Sequence, residues 1–380
     1  MTIFRSERAA AVVLALAAVA GLVIANSPIG TAVVGVRDAH PDTGVSILDL
    51  SLGHWIADGL LALFFFVVAI ELRHELTHGE LDSPRKALAP AVAATGGVIV
   101  PALLFLVLVR DPTELVGWPI PTATDIAFAL GVLALLGRGL PRRVRAFLLA
   151  LAVLDDLIAI AIIAAFFTRE LAPIPLLVAV PLIAAFGWIS ARSTWPAGVR
   201  TAVLIVLGVA TWVLVFSSGV HATIAGVALG LVFASKPGER LRHALEPWVN
   251  GLVLPLFALS ASMVVVPEIR DGGLGPLFWG VFIALPAGKL IGISAGGLIA
   301  RQLVPASERR AALRLPEILV VATLGGVGFT ISLLMAELAF RGDETLVASA
   351  TLAVLAGSLV ALVVGGVTTA TVARRSRFSS

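Results

Sequence analysis

Apolar residues run through this chain in blocks close to the twenty or so positions that an α-helix needs to cross the hydrocarbon core of a bilayer. Twelve blocks can be marked, at roughly 8–27, 54–76, 87–109, 114–137, 143–168, 173–191, 199–216, 220–234, 243–266, 276–300, 317–340 and 345–372. The segments between them are too short for a separate soluble domain. The pattern predicts an all-α polytopic membrane protein of about twelve transmembrane helices, a single integral unit over residues 1–380.

Two blocks are interrupted. In ELVGWPIPTATDIAFALGVLALLG, Pro119 and Pro121 stop one helix, and Thr124-Asp125 stands where another starts. An Asp at that position caps free backbone N–H groups and faces the positive end of a helix dipole. Late in the chain, Leu324-Gly325-Gly326-Val327-Gly328-Phe329-Thr330 breaks a second apolar run. Irregular backbone at membrane depth survives where it is buried in protein or lines a cavity. Paired interruptions in corresponding positions point to a transporter binding site between inverted repeats. The breaks fall in the fourth and eleventh blocks, seven spans apart, and that odd interval gives the two repeats opposite orientations. The bland alternative is that the glycines only let helices pack closely.

Composition agrees with membrane immersion: 59% of the 380 residues are hydrophobic, 13% are charged, and the mean hydropathy is +1.03. Of the 27 Lys and Arg residues, 21 fall in alternate loops and the termini, five in the other loops, and Lys289 lies inside a span. Under the positive-inside rule this places both termini in the cytoplasm of a multi-pass protein of the cytoplasmic (inner) membrane. The net charge is only +3 and the basic residues flank spans, so the high isoelectric point is no sign of nucleic-acid binding. The first block, behind Arg5 and Arg8, is too long for a signal-peptide core, and its removal would leave an odd number of spans. The absence of Cys excludes disulfide and thiol chemistry.

Against this background, Asp125, the adjacent pair Asp155-Asp156 and Lys289 carry the chemistry. A charge at the bilayer centre costs from about 2.5 to more than 10 kcal/mol, so intramembrane ionisable residues mark ion or proton routes. Neighbours on a helix point about 100° apart, so one carboxylate of the pair can line a funnel while the other meets a partner such as Lys289. A buried carboxylate pair is also a set of hard oxygen ligands for a small alkali cation. One site that holds either protons or a cation is sufficient for antiport. Lys289 balances a carboxylate or itself carries a proton. A structural salt bridge would account for Lys289 and one Asp, leaving the second Asp and Asp125 without partners.

Asp58, about one turn into the second span, either lines the outer mouth or snorkels to water. Glu71 and Glu75 near the other end of that span suit a funnel rim. His221, near a helix start, suits a structural hydrogen bond or a pH response. His74-Glu75-Leu76-Thr77-His78 spells the zinc-protease pattern H-E-x-x-H. It lies at a basic edge beside Arg73, Arg85 and Lys86 with no third ligand in view, so an intramembrane protease is the rival reading from another class. Within transport, the rival is an organic-anion symporter.

Taken in order, PTATDIAFALGVLALLG, LAVLDDLIAI, SGVHATIAGV, LPLFAL, AGKLIGIS and LGGVGFTISLL resemble the NhaA-type sodium/proton antiporters over nearly the whole chain. The resemblance implies twelve spans with two crossed, interrupted helices. It implies an electrogenic secondary transporter, not an enzyme, that exports Na⁺ (and Li⁺) in exchange for H⁺ without a cofactor. A cation site at Asp155 and Asp156, supported by Thr124 and Asp125, is implied as well. Lys289 would be the family's membrane lysine, Asp58 its second-span aspartate and His221 its eighth-span histidine. His243, Arg242 and Glu246 fall in the region tied to pH response, where this chain departs from the usual pattern. It departs also at AIELRHELTHG and at Ser260-Ala261-Ser262-Met263. Relatives often form homodimers through an outward hairpin. Apolar pieces at 33–36 and 45–50, separated by Pro41-Asp42-Thr43-Gly44, predict a β-hairpin within 31–52.

Overall fold

The computed structural model describes residues 7–40, 49–79, 81–168, 171–192, 195–266, 274–303 and 312–378. Among them are fourteen principal helices and no strand. They are α1 (Glu7–Ala25), α2 (Gly30–Arg37), α3 (Leu52–His78), α4 (Pro84–Leu108), α5 (Ile126–Leu136), α6 (Arg142–Phe166) and α7 (Pro173–Ala191). The second half holds α8 (Ala197–Ser217), α9 (Thr223–Val232), α10 (Ser235–Ala261), α11 (Pro276–Leu303), α12 (Leu315–Leu324), α13 (Phe329–Ala339) and α14 (Glu344–Phe378).

Nine helical segments among the described residues are long and apolar enough to cross a bilayer. Two bent pairs raise the count to eleven: α1 with α2, bent by 116°, and α12 with α13, bent by 46°. The twelfth expected span, at 220–234, holds α9, which is only ten residues long. Rows of exposed aliphatic side chains mark the lipid face, as on α1, where Val12, Leu16, Val19 and Val23 point outward while Leu14 and Ala18 are buried. This spacing is one stripe of a helix that buries its other side.

The expected hairpin is corrected in its first arm: residues 33–36 are helical, inside α2. Asn26 ends α1, its side chain donating to Leu22 O (2.8 Å) and Val264 O (3.0 Å) and accepting from Val266 N (2.9 Å). The restarted chain then satisfies its own backbone, as in Asp38 N donating to Val34 O at 2.9 Å, so no strand partner is needed. Arg37 ties the end of α2 to Met263 O at 2.9 Å. The expected turn and most of the second arm, 41–48, lie outside the described residues.

Glycines set the closest helix contacts. On α11, Gly292 and Gly296 lie against α4, where a Cβ at Gly292 would meet Gly96 O and one at Gly296 would meet Val92 O at 2.6 Å. Gly226 and Gly230 of α9 press in the same manner on the backbone of α3 at Ala62 and Phe66. Small residues four apart allow such approach in a membrane bundle. The first contact fixes the depth of Lys289, whose Cδ would lie 3.7 Å from a Cβ at Gly97. Gly292→Val should therefore force α4 and α11 apart, costing about 1–3 kcal/mol and misplacing Lys289. A lowered melting temperature together with slowed transport is the expected outcome, and wild-type values for both would show that the backbones do not meet.

Among the described residues, three π-helical turns interrupt otherwise regular spans, at Trp55–Leu60, Val249–Val253 and Ala284–Gly288. The first contains Asp58 and the third immediately precedes Lys289. Pro286 lacks the N–H that a regular turn would use, which accounts for the third.

Candidate functional site

The two interrupted spans meet where their backbones break. Thr124 Oγ1 donates to Gly325 O (2.7 Å), Asp125 N to Val327 O (2.6 Å), and Ser332 Oγ to Ile120 O (2.7 Å). Each break thus supplies the hydrogen-bond partners that the other lacks, which lets non-helical backbone sit at membrane depth. Phe329, at φ +22°, enters α13 in a conformation that side chains rarely adopt.

Asp125 caps two helices at once. Its Oδ1 accepts from Phe128 N (3.2 Å) in the first turn of α5, as expected from sequence. Its Oδ2 accepts from Thr330 Oγ1 (2.7 Å) and Thr330 N (3.2 Å) in the first turn of α13. One carboxylate faces the positive ends of two dipoles. Thr330 stands within the break quoted from the sequence, where no partner could be assigned to it.

The aspartate pair lies one layer away on α6. Asp155 and Asp156 are both buried, and Lys289 is completely so. Asp155 Oδ2 accepts from Lys289 Nζ, and the Thr124 hydroxyl lies against the same carboxylate. This resolves the alternatives for the pair: Asp155 meets the lysine, and Asp156 has no cation bonded to it. Asp155 Oδ1 and Asp156 Oδ1 are both buried, and no hydrogen-bond donor among the described residues reaches either. An unpartnered buried oxygen costs about 1–3 kcal/mol, more when charged. A proton or a small hard cation would satisfy both atoms, and these oxygens suit Na⁺ better than a soft metal. Among the described residues no three His, Asp or Glu converge as metal ligands, so a cation here would complete its shell from hydroxyl, carbonyl or water oxygens.

The other expected residues are placed around this centre. Glu71 lies 3.6 Å from Arg242 and acts electrostatically on Asp156, which joins α3 and α10 below the site. Glu75, nearby on α3, is buried. His243 pairs with Glu246 at 3.6 Å and is largely exposed, so it is not part of the central cluster. Asp58 is buried and does not snorkel. Its Oδ1 is 2.9 Å from His221 Nε2, although the two meet off the donor axis and neither has an aligned hydrogen bond. His221 Nδ1 is 2.7 Å from Thr223 Oγ1, the local hydrogen bond expected of it. The rings of His74 and His78 stack with centroids 5.8 Å apart, and no third ligand joins them among the described residues. Sequence reasoning also passed over Glu317, whose carboxylate takes a two-pronged bond from Arg143 (2.7 and 3.2 Å) and ties the start of α6 to the start of α12.

Two interrupted spans that bond each other at their breaks, a buried carboxylate pair beside them and a fully buried lysine within an apolar span define a membrane ion transporter. A family model described as Na⁺/H⁺ antiporter 1 matches residues 1–369, and the chain belongs to that family of sodium/proton antiporters. It is 52% identical over 380 residues to Na(+)/H(+) antiporter NhaA 2 of Clavibacter michiganensis subsp. michiganensis, covering 99% of this chain and 93% of the relative. It is 44% identical over 368 residues to Na(+)/H(+) antiporter NhaA of Tropheryma whipplei (strain Twist), with 96% and 93% covered. With the antiporter NhaA of Thermobifida fusca it shares 42% over 385 residues, with 96% and 92% covered.

Proposed function

We propose that this chain exports Na⁺, and Li⁺ by the same oxygen chemistry, across the cytoplasmic membrane in exchange for protons taken up at Asp155 and Asp156, moving net charge in each cycle. The observation that carries this reading is the pair of buried Oδ1 atoms without donors on adjacent aspartates that share a single lysine. Such oxygens take a proton or a cation and cannot hold both. Cation entry at Asp155 competes with Lys289, so the second proton comes from Asp155 or from the lysine once its partner is occupied. Thr124 and Asp125 hold the broken helices against the pair and supply hydroxyl and carboxyl oxygens beside it. Glu71 and Glu75 stand at the cytoplasmic entrance.

The charge bias of the loops supports cytoplasmic termini and a cytoplasmic-membrane location. Because the chain contains no Cys, single cysteines report sidedness directly. A cysteine replacing Arg138 should react with an impermeant maleimide only from the cytoplasmic side, and one replacing Asp111 only from outside. The reverse pattern would invert the orientation.

Exchange at one site is tested by proton release from purified protein in weak buffer. Adding Na⁺ should release protons from the wild type, while the same addition of the bulky cation choline should release none. No proton release on Na⁺ binding, measured at several pH values, would separate the cation site from the proton carriers and overturn the reading.

A further inference from the structure

Asp58 stands 13 residues from Glu71 on α3, about 20 Å along the helix at 1.5 Å per residue. It therefore belongs to the opposite end of the bundle from the Glu71–Arg242 entrance. The π-helical turn holds it inward, and Trp212 Nε1 fixes that turn by donating to the Asp58 carbonyl at 3.0 Å. Besides His221 Nε2, Asp58 faces Arg341, whose Nη2 is 3.9 Å from Oδ2. That separation is too long for a hydrogen bond.

Glu337 lies in the last turns of α13 and interacts electrostatically with Asp58, Arg341, His221 and Arg37. No hydrogen bond fixes its carboxylate to these neighbours. The groups facing the Asp58–Glu337 region are thus His54 from α3, Arg37 from α2, His221 from the segment before α9, and Arg341 just beyond α13. Asp58 and His221 are buried, and Glu337 is half-buried, four residues before Arg341. A cluster built only for stability would satisfy its buried oxygens with aligned donors. Here Asp58 Oδ1 and His221 Nε2 are 2.9 Å apart but meet off the donor axis.

The cluster is also connected to the cation site. Glu337 follows Thr330 by seven residues, two turns on one face of α13, or about 10 Å. Thr330 is the residue that bonds Asp125. One short helix therefore runs from the crossing to Glu337, which no sequence motif singled out.

We propose that Glu337, together with Asp58 and His221, forms a second proton station between the cation site and the extracytoplasmic face, with Glu337 carrying protons during antiport. The proposal rests on the assignment of Asp155 and Asp156 above. A proton from outside is taken by the Glu337 or Asp58 carboxylate while the central site is open outward. It passes inward as the cation leaves, and the station returns to its ionised state. The His221 imidazole, with Nε2 on Asp58 and Nδ1 on Thr223, can accept on one nitrogen while donating from the other. Arg341 and Arg37 keep two acids in one interior region from repelling the station apart.

The test uses the full-length protein, uniformly oriented in proteoliposomes, with external and internal pH varied independently. Glu337→Gln should slow Na⁺ efflux by about tenfold or more when external protons are scarce, and the rate should recover as external pH falls. Its dependence on internal Na⁺ and internal pH should stay that of the wild type. Glu337→Asp, which keeps a carboxylate, should restore most of the rate. It also serves should the Gln variant not fold, through a shift in the external-pH midpoint alone. Efflux in Glu337→Gln with the wild-type external-pH profile would overturn the proposal. So would a general loss that neither low external pH nor Glu337→Asp repairs, since that would make the cluster a structural brace. Asp156→Asn in the same vesicles separates the two levels. Normal exchange in that variant would remove the underlying site assignment, whereas an inactive Asp156→Asn beside an unaffected Glu337→Gln would reject the second station alone.

Discussion

Asp156→Asn is expected to abolish Na⁺-driven proton movement while leaving the folded protein nearly as stable as the wild type. The amide offers an oxygen but cannot release a proton or supply a charge, so exchange should fall to the leak of empty liposomes. Stability is spared because Asp156 has no cation bonded to it and Oδ1 has no donor to lose. The replacement breaks no hydrogen bond or ion pair among the described residues. Coupled Na⁺ and pH measurements in proteoliposomes, with thermal melting in detergent, check both halves. Wild-type exchange in Asp156→Asn would refute the site, and a collapse in melting temperature would show that Asp156 holds a structural partner.

Asp155 and Lys289 should behave in the opposite manner. Each is the other's partner inside the protein, so Asp155→Asn or Lys289→Ala alone leaves an uncompensated charge, costing about 3–5 kcal/mol. Transport should fail along with stability. The double replacement Asp155→Asn with Lys289→Met should recover much of the lost stability and none of the transport, because it removes both charges while conserving volume. Additive losses in the double variant would mean that the two side chains do not compensate each other. Asp125→Ala should cost about 1–4 kcal/mol, twice the usual loss for one cap, because it uncaps α5 and α13 together. Equal melting temperatures for Asp125→Ala and the wild type would contradict the shared cap.

Depth along a helix was legible in the sequence; rotation and long-range pairing were not. Apolar blocks located the spans, and Pro119, Pro121 and the run Gly325-Gly326-Val327-Gly328 located both breaks, because backbone breakers act locally. Asp125 was readable as a cap for α5, since a cap and its helix are adjacent in the chain. Its second role, capping α13 through Thr330, spans 205 residues and depends on how the breaks cross. Likewise, adjacency placed Asp155 and Asp156 at one depth, but only packing against α11 decided that Asp155 meets Lys289. Glu337 belongs to no motif in the sequence. Its significance comes from Asp58 and His221, which three separate segments bring together. Residues 33–36 misled for a related reason: short apolar runs suit a strand or a helix, and the end of α1 at Asn26 settled the matter by tertiary contact with 264–266.

Exchange of protons for a cation at one carboxylate pair, with a net movement of charge, has an electrical signature. If two protons enter for each Na⁺ that leaves, one positive charge moves inward per cycle. A 100 mV potential then supplies about 2.3 kcal/mol, sufficient to hold roughly a fortyfold Na⁺ gradient without any pH difference. The most direct measurement is current on a solid-supported membrane after a Na⁺ jump, with sodium flux recorded in parallel and Asp156→Asn as the control. The account predicts a current opposite in sign to the Na⁺ movement, growing with the flux and absent in Asp156→Asn. Robust wild-type flux with no net current, indifferent to a clamped potential, would contradict it.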